Sequence, residues 1–159
     1  MNNQQRDDLA ENIRLSLVYF ERSTEALEEK DSEFRPTDSM MSVAQQVAHV
    51  AHSIHWLLNG AFSPDGFDMN FDQHMKEVGA VTSLSAAREQ VRSAFADVLE
   101  QMQTRPLEEW LVPIVPNPVM AGEPRYHALD GVIDHTAHHR GALTVYSRLL
   151  GKTPAMPYM

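Results

Sequence analysis

Asp134-His135-Thr136-Ala137-His138-His139-Arg140-Gly141 lies inside a proline-free run from Tyr126 to Leu150, and the reading of that run decides the fold. Within it Val132, His135, His139, Leu143, Tyr146 and Leu150 recur at steps of three and four, the spacing of one helix face. The run therefore predicts a long amphipathic helix. His135 and His139 stack one turn apart on its inward stripe, roughly 5–6 Å between Cβ atoms. Two imidazoles so placed can grip a single metal ion. His138 is turned about 100° away from His139 by the helical repeat and serves another purpose.

Working outward, the same periodicity predicts three more long helices. One runs from about Gln5 to Lys30, with Leu9, Ile13, Leu17, Phe20 and Leu27 as its buried stripe. Arg35-Pro36 forbids its continuation, because the residue before proline is pushed out of the α region. A second, capped by Ser39 or Ser42, reaches Asn59-Gly60 and buries Val43, Val47, Val50, Ile54 and Leu57. A third starts at Ser83 or Ser85, turns Val91, Phe95, Val98 and Met102 inward, and stops before Arg105-Pro106. Between the second and third lies a long connection, Phe62 to Thr82, with a turn at Ser63-Pro64-Asp65-Gly66 and a short helix over Asn70 to Val78. Connections of this length often form a lid or pocket wall. Trp110 to Pro124 carries Pro113, Pro116, Pro118 and Pro124 and is expected to cross the surface in extended form. Gly151 closes the last helix, and the proline-stiffened tail Thr153 to Met159 is expected to pack back on the rest. Four amphipathic helices with two long connections give an all-α fold, a four-helix bundle, of the kind that builds metal sites on facing helices.

Composition bounds the function. A chain of 159 residues, 43% hydrophobic and 22% charged, suits one globular domain over residues 1–159. A formal net charge of −9, with no clustered basic face, argues against a nucleic-acid partner. No apolar run approaches the roughly 20 residues of a membrane span. The polar, acidic opening Met1 to Asp8 is unlike a secretory signal, which makes the cytoplasm the expected compartment. With no cysteine, disulfides, thiolate ligands and a protein thiol nucleophile are excluded.

Two ligands on one helix need a third, since an open catalytic metal site commonly has three protein ligands. The second helix offers His49, His52 and His55. Relative to its apolar stripe, His49 and His55 lie about 120° away on opposite flanks, and His52 points outward. Periodicity demotes His52 and does not choose between the other two. The competing reading is plain: histidines recur four apart by chance, and an interior imidazole can sit neutral and hydrogen-bonded. Thr136 stands where a His-Glu-x-x-His metalloprotease would have its glutamate, and paired Glu-x-x-His motifs of di-iron bundles are absent.

The stretch Asp134 to Leu143, continued by Leu149-Leu150-Gly151, together with Ser42-Val43-Ala44-Gln45-Gln46-Val47-Ala48-His49-Val50-Ala51, resembles the two ligand helices of the DinB-like (damage-inducible) family. The resemblance spans essentially the whole chain. It implies a four-helix bundle holding one divalent metal through His49, His135 and His139, often as a homodimer. The metal expected is zinc or nickel, with iron or manganese as alternatives. The family often carries glutamine after the Arg-Gly; here Ala142 occupies that position. Relatives that transfer low-molecular-weight thiols extend the implication to a metal-dependent thiol S-transferase, or a hydrolase, acting on a small molecule. The alternatives are a non-catalytic metal-binding stress-response protein and a metal-free interaction bundle. Trp56 is a candidate pocket wall or a packing residue, Arg140 a candidate carboxylate binder, and Asp134 a candidate for orienting a ligand ring.

Overall fold

A computed structural model describes all 159 residues, and every regular element in it is helical. The helices are α1 (Asn3–Thr24), α2 (Val43–Phe62), α3 (Phe71–Gly79), α4 (Leu84–Thr104), α5 (Leu107–Leu111) and α6 (His127–Leu149), with a single 3-10 turn at Glu29–Asp31. The long helices pack in a closed circuit: α2 against α4 and α6, and α1 against α6 and α4. Each predicted stripe faces the shared core, where Ile13, Phe20, Val47, Ile54, Val91, Phe95, Val132 and Leu143 are all buried. α2 and α6 run antiparallel, since Leu57 lies beside Gly131 while Gln46 lies beside His139 and Tyr146.

The helix starts follow local chemistry. Ser42 caps α2 through a reciprocal box with Gln45, Asn70 caps α3, and Ser83 caps α4, each accepting a backbone N–H of the first turn. The ends are less local. α1 stops at Thr24, six residues short of the predicted Lys30, and the chain turns so that Leu27 enters the core. Arg88 on α4 donates to the carbonyls of Thr24 and Leu27 at 2.8 and 3.0 Å, pinning the turn that follows the helix. α2 runs through Gly60 to Phe62 instead of stopping there. A Cβ on Gly60 would stand 2.3 Å from the Phe67 ring, so this glycine serves close packing of the connection rather than termination. Gly151, at φ 73, does end α6 in the left-handed region.

The proline-rich segment differs from its expectation. Trp110 belongs to the short helix α5 and is fully buried, as is Ile114. The chain then doubles back in an antiparallel bridge between Pro113 and Pro124, tied by Ile114 N–H to Glu123 O at 2.8 Å. The prolines exclude a long helix, but two apolar side chains pull the segment into the core instead of across the surface. The tail returns to α1 as expected, with Tyr158 edge-on to Tyr19 at 5.0 Å and Arg22 donating to Pro157 O. No helix is long and apolar enough to cross a membrane.

Candidate metal centre

His49 comes from α2, and His135 and His139 from successive turns of α6. Their rings form a triangle, with centroids 5.1 Å (His49–His135), 4.8 Å (His49–His139) and 4.4 Å (His135–His139) apart. One ring nitrogen from each lies within 4.8 Å of the others, so the three can meet a common cation. His139 is buried, whereas His49 and His135 are half-buried.

Protonation and tautomer suit that arrangement. Burial, reinforced by repulsion from neighbouring imidazolium, pushes His139 down to about 3 and His49 down to about 4. His135 is lowered by burial and by His138, partly opposed by Asp134. All three rings are therefore neutral near pH 7. His139 Nδ1 lies 2.5 Å from the Gln46 side-chain oxygen, which only accepts. The proton therefore sits on Nδ1, and the Nε2 lone pair is free. Gln46 is itself held: its amide donates toward Tyr146 Oη at 3.4 Å, and Tyr146 donates to Met41 O at 3.0 Å. Two further ring nitrogens, His49 Nδ1 and His135 Nε2, are buried with no hydrogen-bond partner. Unpaired buried acceptors cost about 1–3 kcal/mol each, so their survival on a converging triangle fits a site built to receive a cation.

The remaining sequence candidates fall elsewhere. His55 pairs with Asp97 of α4 at 2.9 Å and stays outside the triangle. His138 is exposed. His52 does not point into solvent as its stripe position suggested; it is half-buried beneath α3, against His74 and Glu77. The periodicity of α2 defines one inward direction, and the added layer of α3 covers its opposite side. Trp56 packs on Phe67 at 4.7 Å and donates to Asp68 O, on the α3 side. Arg140 lies over the Tyr19 ring. Asp134 is exposed, and the group that orients a ring of the triangle is Gln46. One signal for Gln46 was present in the sequence: it stands three residues before His49, on the same flank of α2.

Against known proteins, the DinB family model matches residues 1–159. The chain belongs to the DinB family. No curated protein matches its sequence.

Proposed function

We propose that the four long helices form a DinB-type four-helix bundle whose His49, His135 and His139 hold one divalent cation, zinc or nickel. We assign the protein a metal-dependent reaction on a small molecule, either S-transfer from a low-molecular-weight thiol or hydrolysis. The observation that carries the reading is the convergence of the three rings, one nitrogen of each within 4.8 Å of the others, with His139 offering the nitrogen that Gln46 leaves free.

When bound, a cation held by three uncharged rings keeps its full charge and an open position, and supplies Lewis acidity to a thiol or water arriving there. The chain's own residues do the rest. Gln46 fixes the His139 tautomer, the Tyr146–Met41 chain fixes Gln46, and the core around Val132 and Leu143 keeps bulk water from the back of the triangle. No residue of this chain is a thiol, so in the transferase reading the sulfur nucleophile enters with the cosubstrate.

Elemental analysis of protein purified without added metal tests the site. Stoichiometric zinc or nickel, with one equivalent lost on His135→Ala or His139→Ala and none lost on His55→Ala, is the expected result. Metal-free wild type, or equal loss from His55→Ala, contradicts it. Conjugation assays with several thiols against a common electrophile, run beside ester and amide hydrolysis, then separate the two chemistries.

A further inference from the structure

We propose that His52, His74 and Glu77 form a second divalent-cation site, separate from the three-histidine triangle, which clamps α3 onto α2. The three side chains offer ligand atoms within 4.8 Å of one another. They come from both sides of the long connection, His52 from α2 and the other two from α3.

The hydrogen bonding already sets the rings for it. His74 Nε2 lies 3.2 Å from the backbone carbonyl of Asp68, which can only accept, so that nitrogen carries the proton. A neutral His74 therefore presents the Nδ1 lone pair, and Nδ1 faces His52 Nε2 at 3.0 Å. A metal-ligating histidine usually donates its other N–H to a backbone carbonyl or carboxylate, which is what Asp68 accepts here. Two nitrogens bound tetrahedrally to zinc at about 2.05 Å lie about 3.3 Å apart, so a cation needs the rings to part by only a few tenths of an ångström. Glu77 Oε2 stands 3.9 Å from His52 Nδ1, the ring nitrogen that does not face His74, and brings a negative charge that the triangle lacks. Burial, with His74 beside it, holds His52 below the ordinary imidazole range, favouring the neutral ring a metal needs. On binding, His52 gives up the Nε2 proton that bridges the rings and takes one at Nδ1, so it remains neutral throughout.

The surroundings provide access and a consequence. His52 sits between two open clefts of about 330 and 290 Å³, the first also lined by Glu77 and the second by His74 and Trp56. α3 has nine residues, of which only Val78 is buried, and its packing is onto α2. A helix that short is marginal by itself. A cation shared between His52 on α2 and His74 and Glu77 on α3 would hold the connection closed over the His55–Trp56 face.

The test is zinc binding by the full-length protein, first stripped by chelator and then dialysed against micromolar free zinc, with amide hydrogen exchange read in parallel. Wild type is expected to take up one more equivalent per chain than His74→Ala, and His139→Ala to keep the equivalent that His74→Ala loses. Exchange of the α3 amides is expected to slow on adding zinc to wild type and to His139→Ala, and to be unchanged in His74→Ala. His74→Gln, which keeps a polar side chain on α3, is expected to behave as His74→Ala. Equal zinc uptake by wild type and His74→Ala, or α3 exchange indifferent to zinc, overturns the proposal. Because His139→Ala removes the triangle alone, failure of one site is read independently of the other.

Discussion

The hydrogen bond from His139 Nδ1 to Gln46 sets which nitrogen of that ring can bind, and it leads to a residue-scale prediction. Gln46→Met keeps the volume and removes the acceptor, so zinc affinity is expected to fall about 10- to 100-fold while the helical content stays the same. Gln46→Glu, which still accepts from Nδ1, is expected to retain most of the affinity; chelator competition measures both. Protonation supplies a second prediction. In the unfolded chain these histidines charge near pH 6.5, whereas in the folded protein His49 and His139 resist protonation down to about 4 and 3. The unfolded state therefore binds more protons as pH falls, and the stability of the metal-free protein is expected to drop between pH 7 and 5. The carboxylates of Glu28, Glu29 and Asp31 are held below their ordinary values, so their contribution is lost only at lower pH. A denaturation midpoint that is flat from pH 7 to 5 would contradict this assignment. The sequence placed His135 and His139 on one inward face because that depends only on the repeat of α6. It left His49 against His55 open, because the choice depends on which neighbour each flank of α2 meets: α6 for His49 and Asp97 of α4 for His55.

Among the elements, the starts of α2, α3 and α4 were legible because a cap is a local device: Ser42, Asn70 and Ser83 each act within three residues. Ends were legible only where local chemistry also decides them, as at Arg105-Pro106 and Gly151. α1 ends where Arg88, distant in sequence, pins the turn that follows it, and α2 ignores Gly60 because Phe67 needs the space. Gly60→Ala is therefore expected to destabilise the protein by about 1–3 kcal/mol, through displacement of Phe67 and the connection behind it. Gly141 offers the control: a Cβ there meets nothing within 4 Å on an exposed turn of α6, and Gly141→Ala is expected to stabilise by about 0.5–1 kcal/mol. Thermal unfolding of the two variants reads both signs. The α5 segment escaped the sequence reading because its four prolines dominate the pattern, while the burial of Trp110 and Ile114 depends on a cavity that the long helices supply.

For the whole molecule, the circuit of long helices was readable from four apolar stripes, and the short helix from Asn70 was readable too; the face of α2 that α3 covers was not, since a nine-residue helix with one buried side chain leaves little periodic signal. Val145 and Leu149 are 54% and 58% exposed one turn apart on α6, an apolar pair compatible with the homodimer the family resemblance implies. A C2 dimer at micromolar concentration, shifted toward monomer by Leu149→Glu, is the expected result of sedimentation analysis; a monomeric wild type would contradict it. The most direct measurement of the central claim is an anomalous difference map from crystals of the zinc-loaded protein. It is expected to show a peak between α2 and α6, about 2.0–2.1 Å from one nitrogen each of His49, His135 and His139. Zinc absent from that triangle in a fully loaded crystal would contradict the account.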